Sequence, residues 1–458
     1  MTCIDDSTKK PIVIGRLNEY NNNMFSLTGH LGDVCRLTSE EYDILREMDG
    51  FCTFEEIAKK LGIQISKIYQ VYEKYYGKKK VLDLNSWNQI GWCRKCNVHV
   101  ASEYCSICNS QTEKIVFSPP CDPCICFGEE RRFILNTLED KFSLTLPANA
   151  FLLLNTGVRN NMFFWEVAYK GKILLRIIFT SMLENDWTYE FLYISEIEGD
   201  PLVFDETTIS KMLRANQNCQ TKKVEESEIL IQEYAHLFKS KPLIYFSGGK
   251  ESLVMLSLFE RLGIEANVIT VLTGVEFPED RDFVLSIKST ISNNPLFQYF
   301  FFEEDGKRII DYLNREKYLS AQNPWCRVKF KKELKNKGTE LIYNGHDFVA
   351  CEGSRWYEND FRRRHCKVNF ISDYEHQVWI HPIAEWTAFD VWLYILGNKI
   401  PINPVYRIGF QRTTCWLCPI VNPYHIKCSK RFYPHLWEKL KDCKMEAFGV
   451  DTSRDLPY

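Results

Sequence analysis

The stretch Pro-Leu-Ile-Tyr-Phe-Ser-Gly-Gly-Lys-Glu-Ser, residues 242–252, decides the fold of the largest part of this chain. An apolar run typical of a strand ends in a Ser-Gly-Gly turn, and a helix-forming segment follows. Two glycines let the backbone approach an anion closely, and the amides at the start of the helix can donate to it. The segment therefore predicts a phosphate-binding loop. The expected contacts are Ser247, Gly248, Gly249, Lys250 and Ser252.

This loop is not of the Walker type. A Walker loop needs Gly at position 244 and Ser or Thr at position 251, where this chain has Ile and Glu. The segment resembles the SGGxDS pyrophosphate loop of N-type ATP pyrophosphatases, with Lys250 at the variable position and Glu251 where that family usually has Asp. A plain glycine-rich turn between a strand and a helix is the structural alternative.

Two further segments carry a related resemblance. After an expected strand at 266–272, residues 273–279 resemble the Asp-Thr-Gly-x-Glu-Phe-Pro-Glu segment of phosphoadenosine phosphosulfate (PAPS) reductases, with Leu272 in place of the first Asp. The chain is thereby identified as a member of the PAPS-reductase-like family. A third match looks like the carboxy-terminal signature of the archaeal relatives, and it comprises 386–395, 403–406, 409–410 and 415–419.

Length, charge and cysteine content bound the function. At 458 residues the chain is too long for one core, and about two to four domains are expected. A net charge of -3 argues against wholesale coating of nucleic acid. Asp5 and Asp6 lie where a signal peptide would be apolar, and no apolar run reaches the ~18 residues of a membrane span. The 18 cysteines are therefore expected in a reducing cytoplasm, where clusters indicate metal or redox work.

Residues 1–88 are predicted to form a winged helix. Thr38 or Ser39, Thr53 and Ser66 can cap helices, and a strand at 81–84 follows. The pattern from Leu37 onward is similar to the PqqD-like domain that recognises the leader of ribosomally made, modified peptides. That resemblance implies a precursor peptide as partner. The expected helices are 41–48, 54–61 and 67–76.

A DNA-binding winged helix is the alternative for this domain. Its second and third helices should be basic. Glu55 and Glu56 lie on the second helix, however, and Glu73 accompanies Lys67 and Lys74 on the third. The charges therefore favour a peptide over nucleic acid.

Residues 89–115 contain two Cys-x-x-Cys pairs. Four thiolates at this spacing can close around one tetrahedral Zn²⁺, which would fold a segment too short for its own core. The prediction is a structural zinc ribbon, and a redox pair is the alternative. Cys121, Cys124 and Cys126 follow where archaeal relatives have Pro-Pro-Gly-Asp, and they receive no assignment. The predicted zinc ligands are Cys93, Cys96, Cys105 and Cys108.

Residues 116–215 favour strands and resemble a PUA-like domain, a fold often associated with RNA. From Phe133 to Phe204 the pattern predicts turns at Gly157 and Gly171 and strands at 151–154, 163–169, 172–179 and 187–194. A polar stretch at 216–226 is predicted to be a linker. The aromatic residues of this region favour a β core, with a base-stacking platform as the alternative. They are Phe163, Phe164, Trp165, Trp187 and Tyr189.

Residues 216–400 are assigned to an α/β domain with a parallel sheet, of the adenine nucleotide α-hydrolase-like (PP-loop) type. The resemblance implies that ATP is cleaved between its α- and β-phosphates, or that an adenylylated compound is held in the same loop. This chemistry needs pyrophosphate to be held and Mg²⁺ to be oriented, without covalent catalysis. Lys250, Ser252 and Glu276 are the predicted catalytic residues. Glu276 and Glu251 are candidate Mg²⁺ ligands, or caps of the neighbouring helices.

Further cofactor contacts are expected where other strands end. Thr273 and Gly274 follow one strand, and Gly345 and Asp347 follow a strand predicted at 341–344, where open α/β sheets place ligand contacts.

Relatives carry Gly-x-Arg-x-x-Glu-Ser at that point. This chain reaches Glu352, Ser354 and Arg355 only with a small shift, which puts recognition of a phosphosulfate group in doubt. A basic run follows, expected as a solvated face or as a receiver of phosphates. It consists of Arg362, Arg363, Arg364, His365 and Lys367.

Residues 401–458 form a cysteine-bearing carboxy-terminal segment. Together with Cys326 it supplies Cys415 and Cys418, with Cys428 as the preferred fourth ligand and Cys351 as the second choice. Thiolates from separate segments, with a Cys-x-x-Cys pair among them, suit a [4Fe-4S] cluster, and a second structural zinc is the alternative. The family resemblance favours iron. Three protein ligands would leave one iron open to carry sulfide.

The predicted function is ATP-dependent sulfur transfer, in which a substrate oxygen is adenylated in the loop and then replaced by sulfur. Expected partners are a precursor peptide and a sulfur donor such as a cysteine desulfurase, with no membrane, and the chain is compatible with a homodimer. The alternatives are thiolation of tRNA or DNA, reduction of adenylylated sulfate, and a nucleotide-binding sensor without turnover. The sequence alone does not choose the acceptor.

Overall fold

A computed structural model describes most of the chain. Within the described residues, Val13 to Tyr75 contribute to one hydrophobic core, and a larger core extends from Ile90 to Leu436. No helix of the described part is long and apolar enough to cross a membrane. The described residues are 11–13, 16–20, 24–28, 34–48, 52–76, 81–83, 90–118, 121–159, 162–180, 187–192, 197, 199–316, 318–320, 325–363, 366–369, 377–440 and 444–446.

The amino-terminal elements are β1 (Pro11–Val13), β2 (Arg16–Tyr20), β3 (Met24–Thr28), β4 (Val34–Leu37), α1 (Ser39–Glu47), α2 (Phe54–Leu61), α3 (Ile65–Tyr76) and β5 (Val81–Asp83). Thr38 and Thr53 each begin a helix with a reciprocal capping box, as the sequence predicted. An antiparallel sheet of order β2-β3-β4 precedes the helices. The strand expected after the third helix pairs with β1.

The cysteine-rich segment forms a three-stranded antiparallel sheet of order β7-β6-β8, with β6 (Gly91–Cys93), β7 (Val98–Val100) and β8 (Glu113–Lys114). Asn216 fixes this sheet to the rest of the protein. Its side-chain amide donates to the His99 carbonyl at 3.0 Å, and its carbonyl accepts from the Ala101 amide at 2.7 Å. These two hydrogen bonds attach the small sheet to the rest of the protein.

The β-rich region is a five-stranded antiparallel sheet of order β13-β12-β11-β10-β9. Its elements are β9 (Cys124–Ile125), α4 (Gly128–Phe142), β10 (Leu153–Arg159), β11 (Met162–Tyr169), β12 (Lys172–Phe179) and β13 (Trp187–Phe191). The expectation of strands was wrong at its start, because Phe133 lies inside α4, whereas the strands predicted at 163–169, 172–179 and 187–194 correspond to β11, β12 and β13. Gly157 lies within β10 and makes no turn, whereas Gly171 turns with φ +80°.

The aromatic side chains of this sheet form a core and not an open platform. Trp165 is fully buried and packs edge-on against Phe179 and Tyr424. Phe133 packs edge-on against Trp187, at 5.3 Å between ring centroids. The interpretation of these aromatics as β core is confirmed for Phe164 and Trp165, which are buried, and base stacking on Trp165 would require this core to open.

Two helices, α5 (Glu206–Ala215) and α6 (Gln217–Tyr234), connect the β-rich region to the next sheet. The linker predicted over 216–226 was therefore wrong, since these residues lie in α6. Its inner face carries Val224, Ser227 and Ile231, all buried. A helix with so few apolar residues has the same composition as a polar linker. Only the packing of its inner face shows that this segment is a helix.

The remaining strands are β14 (Leu243–Tyr245), β15 (Ala266–Leu272), β16 (Phe297–Glu303), β17 (Tyr318–Ser320), β18 (Phe348–Cys351), β19 (Val368–Asn369), β20 (Gln377–Ile380) and β21 (Lys444–Glu446). Six of them form a sheet of order β16-β15-β14-β18-β20-β19, parallel except for β19. The carboxyl ends of its central strands therefore meet at one edge. The predicted α/β domain with a parallel sheet is confirmed.

Helices and turns pack around this sheet. Gly263, with φ +65°, ends the helix that follows the loop, as predicted. The helices are α7 (Lys250–Leu262), α8 (Pro278–Ser292), α9 (Gly306–Glu316), α10 (Glu333–Tyr343), α11 (Asp360–Arg363), α12 (Ala388–Gly397), α13 (Pro404–Ile408), α14 (Pro423–Phe432) and α15 (Pro434–Trp437), with a π-helical turn at Arg327–Lys332 and a 3-10 turn at Trp356–Glu358.

Candidate active site

The loop at 247–252 lies at the carboxyl end of the central strand β14 and begins α7. Gly248 has φ +78°, and a Cβ there would come within 2.6 Å of the Val284 side chain. Ser252 closes the loop, because its hydroxyl donates to the Gly249 carbonyl at 2.9 Å and lies 3.3 Å from the Ser247 amide. The loop is thus shaped for close approach of an anion to the start of a 13-residue helix.

A second segment, residues 403–406, bonds to the backbone of the loop. The Asn403 side-chain amide donates to the Gly248 carbonyl at 3.1 Å and to the Asp280 carboxylate at 2.6 Å. The Tyr406 hydroxyl accepts from the Lys250 backbone amide at 2.9 Å. These contacts explain the Asn-Pro-Val-Tyr segment at 403–406, which sequence reasoning noted only as a family signature. Asp280 was missed altogether.

Lys250 does not extend into the loop. Only 4% of the residue is exposed, and its ammonium lies 3.0 Å from Glu251 and donates to the Gln411 carbonyl at 3.1 Å. Burial lowers the pKa of Lys250, but attraction to Glu251 outweighs it and leaves the pKa above its usual value. The expectation that Lys250 acts on the ligand alone is corrected, since the side chain also neutralises a buried carboxylate.

Glu251 takes part in a buried ion-pair network. It accepts from the Arg355 guanidinium at 2.9 Å, and only 2% of the Arg355 side chain is exposed. Burial raises the pKa of Glu251, but the charges of Lys250 and Arg355 outweigh this and bring it to about 2. A carboxylate shared by two cations is a poor Mg²⁺ ligand in this arrangement. Glu251 therefore supports the loop.

Thr273 and Glu276 organise the turn that follows β15. The Glu276 carboxylate accepts from the Thr273 amide at 2.9 Å and from its hydroxyl at 2.8 Å. Gly274 has φ +75°, and a Cβ there would meet the Gly306 backbone nitrogen at 2.3 Å. The structure thus brings Thr273, Gly274 and Glu276 to the same sheet edge as the loop, with one face of the carboxylate used by the turn.

Gly345 and Asp347 are not part of this edge. The apolar run at 341–344, predicted as a strand, is the end of α10 and its left-handed cap Asn344. Both residues therefore precede β18 and lie at the amino end of a strand that runs parallel to β14. Their predicted cofactor contact was wrong, because ligand contacts gather at the opposite edge.

The residues after β18 occupy the position expected of Gly345 and Asp347. Gly353, Arg355 and Glu358 reproduce the Gly-x-Arg-x-x-Glu spacing, and a Cβ on Gly353 would lie 2.9 Å from the Glu251 Cβ. The prediction placed the strand at 341–344 and not at 348–351. The Gly-x-Arg-x-x-Glu motif that follows the strand was therefore expected too early in the sequence. Two residues of the basic run after it form ion pairs, Arg362 with Glu358 at 3.0 Å and Lys367 with Glu385 at 2.6 Å, and residues 364 and 365 lie outside the described part.

Three of the four predicted cluster cysteines lie near one another. Cys415 lies 3.4 Å from the Thr273 hydroxyl and 4.0 Å from Glu276, beside the loop edge. Burial and then the neighbouring Cys418 raise the pKa of the Cys326 thiol to about 11. Burial raises the pKa of the Cys428 thiol to about 11, and Tyr424 and Glu130 are its next influences. Its place as the fourth cluster ligand stays a prediction.

The four cysteines predicted as zinc ligands form a compact tetrad. All four sulfurs lie within 4.8 Å of one another, with 3.5 Å between Cys93 and Cys108 and 3.8 Å between Cys96 and Cys105. Hydrogen bonds from Ser110 are the main reason that the pKa of the Cys108 thiol falls to about 6. This group fits a single metal ion held by four thiolates. Within the described residues it is the one group of three or more such ligands at these distances.

The Asp280 carboxyl provides a pH-dependent prediction. Burial raises its pKa from 3.8 to about 7, so between these values the folded state binds a proton that the unfolded state has lost. Stability therefore falls as pH rises through this window, by about 1.4 kcal/mol per unit of pKa difference at most. Asp280→Asn is expected to gain stability over the wild type from pH 4 to pH 8 in urea unfolding. An unchanged difference across this range would contradict the burial argument, and Asp282→Asn on the exposed side of α8 is the control.

Comparison with known proteins agrees with this geometry. Residues 241–421 match the model of the phosphoadenosine phosphosulfate reductase domain. An uncharacterized protein of Methanocaldococcus jannaschii is 23% identical over 447 residues, covering 78% of this chain and 92% of that protein.

Two named relatives align with a smaller part of the chain. Sulfate adenylyltransferase subunit 2 of Streptomyces lavendulae is 27% identical over 230 residues, covering 42% of this chain and 67% of that protein. Adenosine 5'-phosphosulfate reductase of Bacillus cereus is 25% identical over 187 residues, covering 40% and 75%. The loop, the segment that contacts it and these relatives agree that residues 241–421 are similar to the phosphoadenosine phosphosulfate reductase domain.

Proposed function

We propose that the protein is an ATP-dependent sulfurtransferase, which adenylates a substrate oxygen and replaces it with sulfur. The observation that carries the proposal is the loop at 247–252, whose glycines and helix start suit a pyrophosphate group. The names of two relatives join adenosine phosphate chemistry to sulfur, which supports the same pairing here.

The carboxylates beside the loop are suited to a magnesium ion. Asp280 lies 3.1 Å from the position of a Cβ on Gly248, and Glu276 is close enough to raise the pKa of Asp280 further. Oxygen ligands of this kind are those that Mg²⁺ prefers. When bound, the ion would neutralise charge on the departing pyrophosphate. Glu276 and Asp280 are the residues that would hold it, and the start of α7 would hold the phosphates.

Cys415 links the adenylation site to sulfur. Its thiol contacts Thr273 and Glu276 at the end of β15, next to the loop where an adenylated oxygen would lie. Cys326, Cys415 and Cys418 are the proposed ligands of a [4Fe-4S] cluster, which would supply sulfide when bound. Sulfide would add to the activated carbon, and AMP would leave with the oxygen, so that the sulfur stays on the substrate. A donor such as a cysteine desulfurase delivers sulfur as a persulfide, so restoring the sulfide would also need two electrons from a thiol reductant.

Ser252 offers the sharpest test of the loop. Ser252→Ala removes the hydroxyl that closes the loop onto Gly249, and it is expected to lower the rate of AMP formation from ATP by about 100-fold, the effect of a misplaced binding group. Ser257→Ala is the matched control, because Ser257 lies on the same helix and bonds Tyr394 away from the loop. The two rates are compared by chromatography of the nucleotides. Equal rates in both variants would show that the loop takes no part in the reaction.

A ribosomally made precursor peptide is the proposed acceptor. Three of the four lysines on α2 and α3 that would have to meet a phosphate backbone pair with glutamates, which weakens any field that attracts nucleic acid. β4 pairs only with β3 among the described residues, and Val34 is 58% exposed, so an edge is available for an added strand. The ion pairs are Lys60–Glu47, Lys67–Glu40 and Lys74–Glu41.

Salt dependence distinguishes the two classes of acceptor. A peptide added to a sheet edge is held by backbone pairing and apolar contacts, so its affinity for residues 1–88 is expected to change less than about threefold between 50 and 200 mM salt, whereas several phosphate contacts would lose about 1,000-fold or more. Anisotropy with a labelled leader peptide encoded near the gene measures this. Salt-sensitive binding of tRNA or duplex DNA by the same fragment would transfer the acceptor to nucleic acid.

A further inference from the structure

The segment at 118–126, whose cysteines received no assignment, contains a residue that reaches the nucleotide loop. The Asp122 carboxylate accepts hydrogen bonds from both terminal nitrogens of Arg355, at 2.7 and 3.0 Å. The same guanidinium donates to Glu251 at 2.9 Å. One fully buried arginine thus joins Asp122 to the residue at the start of α7.

Asp122 is itself fixed on two sides. Its carboxylate accepts from the Ala388 amide at 2.6 Å, and its own amide donates to the Asn155 side chain at 2.9 Å. Asn155 is fully buried in β10 and donates to the Ser118 carbonyl at 2.9 Å. The carboxylate is therefore held by the β-rich region on one side and by the start of α12 on the other.

The charges in this chain of contacts balance. In the pairs of 3.0 Å or less that join these residues, Asp122 and Glu251 supply two negative charges, and Arg355 and Lys250 supply two positive charges, while Glu358 adds a longer pair with Arg355 at 3.8 Å. Arg355 makes a fork-shaped, bidentate pair with Asp122, a geometry that fixes the planar guanidinium in orientation. Without Asp122 one cation would be in excess, and Arg355 would lose the contact that fixes its orientation toward Glu251.

We propose that Asp122 is a positioning residue for the nucleotide loop, acting through Arg355 on Glu251 and thereby on the start of α7. The proposal rests on the proposed function of the loop and goes beyond it, because it makes the β-rich region a part of the catalytic unit. Asp122 lies outside residues 241–421, the segment that matches the reductase domain. A separately expressed reductase domain would therefore lack one of the contacts that shape its loop.

The test compares three variants of the full chain. Asp122→Asn keeps the size of the side chain and removes its charge, and it is expected to lower kcat/KM for ATP by about 100-fold through displacement of the loop. Asp122→Glu keeps the charge and is expected to recover part of that loss. Combining Asp122→Asn with Glu251→Gln should cost no more than the larger single effect, because both act through one arginine.

A purely structural role predicts a different pattern. Asn216→Ala removes buried hydrogen bonds to the His99 carbonyl and from the Ala101 amide, away from the loop, and serves as the control for stability. Equal losses of melting temperature in Asn216→Ala and Asp122→Asn, with unchanged kcat/KM per folded molecule in both, would overturn the proposal. So would additive effects in the double variant.

Hydrogen exchange separates this proposal from the proposed function. If the wild type does not turn over ATP, the sulfurtransferase assignment fails, and the role of Asp122 is then decided by the amides of residues 247–252. They are expected to exchange at least about tenfold faster in Asp122→Asn than in the wild type, while the amides of α6 keep their rates. Unchanged exchange in the loop would refute the positioning role by itself.

Discussion

Arg355→Met is expected to destabilise the protein by about 3–5 kcal/mol, the effect of removing one partner from a buried charge network. Only 2% of the Arg355 side chain is exposed, and the substitution would leave Asp122 and Glu251 without the cation that they share. Asp122 would keep its hydrogen bond from the Ala388 amide and Glu251 its pair with Lys250, and a mostly desolvated carboxylate that loses a cation is costly. The free energy of unfolding in urea measures the loss.

Arg281→Met is the matched control for this change. Arg281 also makes a two-pronged pair, with Glu303 at 2.6 and 3.0 Å, but 44% of its side chain is exposed. Exposed pairs contribute at most about 1 kcal/mol, so the control is expected to stay within that value. A loss for Arg355→Met as small as that of the control would show that the buried network does not support the fold.

Replacing Cys105 with Ser is expected to remove the zinc ion and to unfold the segment at 90–118. The four sulfurs form the compact tetrad described above, and four-thiolate zinc contributes on the order of 10 kcal/mol in small domains that fold around it. Elemental analysis is expected to find one zinc per chain in the wild type and none in the variant. Hydrogen exchange of β6 and β7 should increase at the same time. Cys219→Ser, outside the tetrad, is expected to keep the metal.

The same analysis under anaerobic conditions tests the second set of cysteines. Iron is expected to disappear from Cys415→Ala and Cys418→Ala while zinc remains, because the two groups of thiols are separate. Two zinc ions and no iron in the wild type would contradict the cluster and the sulfur-carrying step. Zinc retained in Cys105→Ser would contradict the structural role of the tetrad.

Local chemistry made several elements predictable. Thr53 caps α2 as expected, with Glu56 completing a capping box, and α2 has the predicted bounds. The strand β15 also has the predicted bounds, because a buried parallel strand is apolar on both faces. The loop between β14 and α7 followed from its two glycines. In each case the signal lies in adjacent residues.

Errors arose where short apolar or polar runs fit two structures. The run at 341–344 is apolar for four residues, and over that length a strand cannot be distinguished from the end of a helix. That single error moved the expected ligand contacts to Gly345 and Asp347, at the wrong edge of the sheet. The polar residues at 217–226 have a linker composition and belong to a helix that buries a narrow face.

The buried charges could not have been foreseen from spacing. Lys250 follows two loop glycines, the usual position of a phosphate-binding lysine, yet its ammonium pairs with the next residue and with the Gln411 carbonyl. Arg355 lies 104 residues from its partner Glu251 in the sequence. Asp122 lies 233 residues from its partner Arg355. Contacts over such separations follow from the order of strands in the sheet, which no local pattern encodes.

The identity of the product formed from ATP tests the central claim most directly. The purified full chain is incubated with ATP, Mg²⁺ and a candidate acceptor, and phosphorus NMR follows the nucleotide. Cleavage between the α- and β-phosphates predicts AMP and pyrophosphate in equal amounts from the wild type, with the rate reduced in Ser252→Ala and retained in Ser257→Ala. ADP and inorganic phosphate as the products would contradict the account, because a pyrophosphate loop then would not be the site of the reaction.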